Sequence, residues 1–264
     1  MKNLKPKNQN KMKTSLKIGL GIAITYIIAV LTTSCAGFND KNHIDLSGVT
    51  KVATQEVSTF DKVEVSGAID VIVNIGNKSE VVIEADSTIL PYIVTEVKNR
   101  ELKIHNKDIN INRLKDLKDY KVLVTITTPS ILELESSGAC DITINDLKTD
   151  QFKVSLSGAC DLKGNIECKV LDFEAAGASD SELKGKVKNC NIELSGASDI
   201  KAFDLIVNNI KIEETGSCNV DITVMDSLDV ELSGVSELRY KGEPKYINSD
   251  VSGVSKLSKF ENKK

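Results

Sequence analysis

One motif recurs down this chain at a nearly constant step, and that step limits the fold more than any other feature. Ser-Gly-Ala-(Ser/Cys)-Asp-apolar appears at Ser137–Ile142, Ser157–Leu162 and Ser195–Ile200, with Ala176-Gly-Ala-Ser-Asp180 between them. Degenerate copies follow at Thr215–Val220, Ser233–Leu238 and Ser252–Leu257. The seven glycines, Gly138, Gly158, Gly177, Gly196, Gly216, Gly234 and Gly253, lie 20, 19, 19, 20, 18 and 19 residues apart. An eighth copy, Ser66–Val71, stands alone upstream. Eight of the 16 glycines therefore share one phase, so the period is architectural.

The columns around each glycine say what the repeat is made of. Four residues before it stand Leu134, Val154, Phe173, Ile192, Ile212 and Val230, with Ser249 breaking the column. One after it the residues are mostly Ala; four after it they are mostly Ile, Leu or Val. Stretches such as Phe152–Leu156 and Asn191–Leu194 alternate apolar and polar, the pattern of a strand with one buried face. Short strands with a glycine corner at each step predict a parallel β-solenoid of about 19 residues per turn, its rungs stacked about 4.8 Å apart. A stack of hairpins is the alternative, but it calls for Asn-Gly or Asp-Gly turns at shorter spacing.

Residues 58–130 read as an N-terminal cap with the first strands, because a solenoid's open end exposes strand edges. Phe60–Val65, Asp70–Ile75, Glu80–Glu84, Glu101–His105 and Lys121–Ile126 are strand-like. Asp86 and Ser87 are placed to cap one short helix whose apolar positions, Leu90, Ile93, Val94 and Val97, follow helical spacing.

The beginning of the chain reads as an address. Residues 1–34 hold six Lys and no acid, and an apolar run from Ile18 to Leu31 follows the basic stretch. That run is shorter than the about 20 residues of a membrane-spanning helix and suits a signal peptide. Met12 offers a second start with a shorter basic region. The run ends Leu31-Thr-Thr-Ser-Cys35, which resembles the lipobox of bacterial lipoproteins, although Thr32 stands where Leu is commonest. Cys35 is thus the expected lipidation site. Acyl chains contributing about 0.8 kcal/mol per CH₂ would hold the protein to a membrane without a transmembrane helix. Ala36 in place of the Asp that retains lipoproteins in the inner membrane favours the outer membrane. Residues 35–57 then form a lipidated tether, 131–258 the solenoid and 259–264 a basic tail.

The Ser-Gly-Ala-Ser-Asp copies, the upstream block Phe60–Val73 and the lipoprotein leader together resemble the head GIN domain family. The resemblance covers about residues 58–257. It implies a fold similar to right-handed β-helices and an adhesin-like binding role; it carries no catalytic residues. No C-terminal β-barrel segment is present for self-export, so display at the cell surface would depend on the lipid anchor.

Composition narrows the function further. Removing the six Lys of residues 1–34 leaves 28 basic against 38 acidic residues, a net charge of −10, which does not suit a nucleic-acid partner. The absence of Trp and the 4% aromatic content argue against stacking platforms for sugars or bases. The most suggestive chemistry is the column three residues after each glycine: Asp141, Asp161, Asp180 and Asp199, preceded by Asp70 and decaying to Asn219, Glu237 and Lys256. Two readings stay open, carboxylates that cap backbone N–H groups at their own corners and a ladder of oxygen ligands for a cation. Cys140 and Cys160 fall on adjacent turns, within reach of a disulfide. No Cys-x-x-Cys spacing points to a metal site, and no cofactor is implied. His43 and His105 are isolated, so a catalytic dyad is not expected. The expected protein is a non-catalytic, lipid-anchored envelope protein that binds an extracellular or periplasmic protein or glycan. A periplasmic structural lipoprotein and, further off, a polysaccharide-active enzyme are the alternatives. The sequence leaves oligomeric state open.

Overall fold

Alternating side chains between glycine corners can bury one face only if successive segments stack, and in the computed structural model they do. It describes residues 44–107 and 120–261. The expected signal peptide, Cys35 and His43 lie outside the described residues. The body is an all-β solenoid of about seven turns with about 19 residues per turn.

The strands in chain order are β1 (Thr50–Glu56), β2 (Lys62–Gly67), β3 (Asp70–Ile75), β4 (Glu80–Asp86), β5 (Ile93–Lys98), β6 (Glu101–Asn106), β7 (Val122–Thr128) and β8 (Glu133–Gly138). Five long strands follow, each wrapping a full turn: β9 (Asp141–Gly158), β10 (Asp161–Gly177), β11 (Asp180–Gly196), β12 (Asp199–Gly216) and β13 (Asn219–Gly234). The last turn is divided into β14 (Glu237–Lys241), β15 (Tyr246–Val251) and β16 (Lys256–Lys259). From β9 to β13 every neighbour is parallel and the corner glycines stay in register, Gly158 on Gly138 and so on to Gly234 on Gly216. Steps of 20 rather than 19 residues are absorbed at the far bend of the rung. There the register shifts between Gly164 and Ile166 and between Ala202 and Ile206.

The corner explains its own sequence. Gly177 has φ +118°, and a Cβ there would stand 2.3 Å from the Gly158 carbonyl oxygen. That same oxygen accepts the N–H of Ala178 at 2.8 Å, so the rungs approach as closely as backbone allows. Of the small columns, the one two residues after the glycine is the buried one: Cys140, Cys160, Ser179, Ser198, Cys218 and Ser236 all face inward. Ser179 Oγ accepts the N–H of Cys160 (3.3 Å), and Ser198 Oγ that of Ser179 (3.4 Å), so each hydroxyl ties one rung to the next. The Ala column beside it points to solvent.

The upstream copy is part of the stack. Gly67 of β2 lies against Gly138 of β8, and β3 pairs with β9. On their other sides β2 and β3 are covered by β6 and β7, again parallel. The rung Lys62–Ile75 is thus inserted between segments that both come after it in the chain. Beyond β7 lie antiparallel β4 and then β1; beyond β6 lies antiparallel β5. These three strands finish the N-terminal end, with β1 and β5 as its edge strands.

The expected cap helix is not formed. Leu90–Tyr92 make a single 3-10 turn, and Ile93–Lys98 is strand β5. The β-branched run Ile93-Val94-Thr95 favours a strand, and Asn99 and Arg100, both at positive φ, turn the chain directly back into β6. Asp86 serves another purpose: it accepts the N–H groups of Thr88 (2.7 Å) and Gly48 (2.8 Å) and the Ser47 hydroxyl. Burial works against that carboxylate's charge, but these hydrogen bonds bring its pKa down to about 2. At the other end the tail folds back. Phe260 lies 4.8 Å from Phe203, with Lys241 over both rings and Arg239 beside them, held by two bonds to Asp221.

Candidate binding face

The strand segment before each corner shows its outward residues at one, three and five positions before the glycine. In parallel register each position becomes a column. Three before the glycine stand Glu64, Glu135, Ser155, Glu174, Glu193, Glu213, Glu231 and Asp250, acidic on every rung but one. One before it the column is Ser66, Ser137, Ser157, Ala176, Ser195, Thr215, Ser233 and Ser252. Five before it Lys62, Lys153 and Lys211 alternate with Glu133, Asp172 and Asp229, and their charges cancel. The face therefore carries the charge of its acidic column. A shallow groove of about 520 Å³ runs along it, lined by the acids and hydroxyls from Glu64 to Thr215.

Carboxylates one rung apart repel by about 1 kcal/mol even at water's dielectric constant. Local partners offset this. Lys153 pairs with Glu174 at 3.1 Å, Lys211 pairs with Glu213 and Lys103 with Glu64. Ser155 and Asn191 donate to Glu174 and Glu193, each at 3.3 Å. Glu135 lacks such relief: burial first, then the carboxylates of Glu133, Glu64 and Glu101, push its pKa up.

The aspartates singled out in the sequence form a different column, on the flank after the corner. Asp141 and Asp161 are in register, as are Asp180 and Asp199. Two of them bond along the stack rather than to their own corners: Asp161 accepts the N–H of Asp180 at 3.3 Å, and Asp199 accepts from the Asn219 amide at 2.7 Å. At the head of the column burial, and next the neighbouring Asp141 carboxylate, raise the pKa of Asp70. The column is a row rather than a cage. Among the described residues no three His, Cys, Asp or Glu side chains gather as a metal site.

Cys140 and Cys160 are free and buried, and no bridge joins them. The Cys140 thiol is directed to the Gly67 carbonyl of the neighbouring rung (3.4 Å) and the Cys160 thiol to the Ser157 carbonyl of its own corner (3.3 Å), so each is engaged by backbone. The sulfur contact with Cys160 and then burial push the Cys140 thiol up, away from the reactive thiolate. His105 sits in β6, opposite Val94 of β5 and Ser66 of β2.

One acid points inward. Glu214 is 1% exposed, and neither carboxylate oxygen has a hydrogen-bond partner. Its column holds Leu194 and Leu232 on the adjoining rungs, and nearby Ser236 gives its hydroxyl to the Ser233 carbonyl instead. Burial pushes the Glu214 pKa up to about 7.

The acidic column escaped the sequence reading, although the period carries it. Once the glycines are aligned, Glu recurs three residues before them as regularly as Asp recurs three after. Glu also occurs throughout the exposed surface, whereas the Asp is fused to the glycine motif, so only the latter stands out.

Residues 59–244 match the family model described as “Putative auto-transporter adhesin, head GIN domain”. Several solved structures share the fold. One reported as a putative adhesin from Bacteroides fragilis NCTC 9343 has a TM-score of 0.75 at 21% identity, over 82% of this chain and 100% of that one. A putative lipid binding protein from Parabacteroides distasonis ATCC 8503 gives 0.65 at 20% identity, over 83% and 100%. A putative adhesin from Parabacteroides merdae ATCC 43184 gives 0.62 at 20% identity, with the same coverage. No curated protein matches the sequence.

Proposed function

The chain belongs to the family described as “Putative auto-transporter adhesin, head GIN domain”, and from that premise we propose that it is a lipid-anchored protein of the cell envelope that binds a partner without transforming it. Cys35 carries the lipid, the outer membrane is the site of attachment, and the coil is right-handed, as crossovers between parallel strands generally are. The acidic face is the binding surface.

The observation that carries this reading is the rigidity of that face. Its carboxylates and hydroxyls sit on backbone hydrogen-bonded on both sides, at a spacing fixed by the rungs. A partner presenting a row of cationic or hydrogen-bond-donating groups meets them already ordered, which lowers the cost of binding. The net negative field also steers a basic surface toward it.

Intact cells treated with an impermeant protease should lose the protein, with lysed cells as the control; resistance until lysis would remove the surface reading. Cells carrying the triple variant Glu174→Gln, Glu193→Gln, Glu213→Gln at equal surface level should adhere at least tenfold less to immobilised polylysine. Equal adherence would remove the acidic face from the binding role. Metabolic labelling with a fatty acid tests the anchor separately: label should enter the protein and be lost in Cys35→Ser.

A further inference from the structure

The two ends of the solenoid differ. At the N-terminal end the last strands are antiparallel, β1 on β4 and β5 on β6; at the C-terminal end they are parallel, and among the described residues β15 pairs only with β13 and β16 only with β14. The outer edge of β15 therefore offers a row of backbone N–H and C=O groups to solvent. Ile247 and Val251 lie in register with Leu228 and Leu232, which are buried in the rung below. Among the described residues no rung lies over them, and they are 47% and 41% exposed. Proteins blunt such edges with Lys, Pro or a bulge within the strand. The segment Tyr246-Ile-Asn-Ser-Asp-Val251 has none of these; its single charge is Asp250.

From Ile247 to Val251 the apolar and polar positions of this segment are symmetric about Ser249. We propose that β15 pairs antiparallel with β15 of a second copy, about a two-fold axis through Ser249, giving a dimer joined end to end. In that register Ile247 faces the partner's Val251, Asn248 faces the partner's Asp250, and Ser249 faces the partner's Ser249. Every pair unites side chains on the same side of the sheet: apolar with apolar, and hydroxyl with hydroxyl at Ser249, on the inner side, amide with carboxylate on the outer. Sliding by one residue sets inner against outer positions throughout, and sliding by two sets Ile247 against Ser249 or Asp250 against its own copy, so the match fixes its register. The interface is isologous and closes at two copies. Stacking this end on the N-terminal end of another copy would instead grow a filament.

Directly opposed residues in an antiparallel pair have Cβ atoms about 4.5–5.5 Å apart, close enough for a disulfide after small adjustment. The full chain carrying Ser249→Cys, oxidised in the native envelope, should run on a non-reducing gel at twice its mass. The control Asn208→Cys, exposed in the middle of the stack, should stay at the monomer position. Adding Ile247→Lys to Ser249→Cys should reduce the crosslinked fraction at least tenfold, and because both positions are exposed the fold should survive. A Ser249→Cys chain that stays monomeric under oxidant overturns the proposal. So does crosslinking to a different protein, which would assign the open end to another partner.

Discussion

At the scale of single residues, Gly177 and Glu214 show how tightly the rung spacing constrains side chains. At Gly177 a methyl group would meet the Gly158 oxygen at 2.3 Å, while φ lies at +118°. Gly177→Ala combines a backbone clash with a conformation L-residues avoid, and should cost about 3 kcal/mol or more. Gly48 has φ +71° and nothing within 4 Å of its notional Cβ, so Gly48→Ala should cost only about 1 kcal/mol. Urea denaturation of the two variants separates clash from conformation. Glu214 poses the opposite problem, a charge without a partner. Its folded pKa of about 7 exceeds the ordinary 4.5, so folding is unpenalised below pH 4.5 and loses stability as pH rises through 7. The loss should total about 3 kcal/mol, and Glu214→Leu should recover it at pH 8 while changing little of this term at pH 4. Denaturation midpoints across that range give the slope directly. The glycine column was legible because a residue with no side chain has few substitutes where backbones touch. Glu214 was not, because a single polar copy in an apolar column looks like the degeneracy expected of any repeat.

Among elements, the strands were legible wherever alternation ran for four residues or more, from Asp70–Ile75 to Asn191–Leu194. The segment after Asp86 was misleading for a physical reason. Over eight residues, Leu90, Ile93, Val94 and Val97 fit a helical face, but the β-branched side chains and the Asn99-Arg100 turn fit a hairpin, and β6 was available to pair with it. Tertiary pairing decided between them. The last rung, too, depends on something outside its own repeat, the clasp of Phe260 on Phe203. Phe260→Ala should remove that ring contact at a cost of about 1–2 kcal/mol. Hydrogen exchange should show protection falling in β14 and β16 but not in β10 or β11, because each rung touches only its neighbours. Uniform loss across the stack would mean that the rungs unfold as one unit.

For the whole molecule, the repeat disclosed how many rungs there are but not their order. Nothing in Ser66–Val71 announces that it lies between β6–β7 on one side and β8–β9 on the other, since a repeat copy records its shape and not its neighbours. That threading has a mechanical consequence. If the chain is held at its N-terminal side and drawn from its C-terminal end, rungs from the last back to β9 peel away in reverse chain order, a few hydrogen bonds at a time. Each releases about 65 Å of extended chain at low force. Then the geometry changes. Once β8 has come off β2, the segment loaded is β7, which lies between β3 and β4 and leaves by sliding along both, with both rows of hydrogen bonds strained together. Single-molecule pulling should record a train of weak, evenly spaced steps followed by one markedly stronger rupture. The protein would yield gradually under tension and then hold.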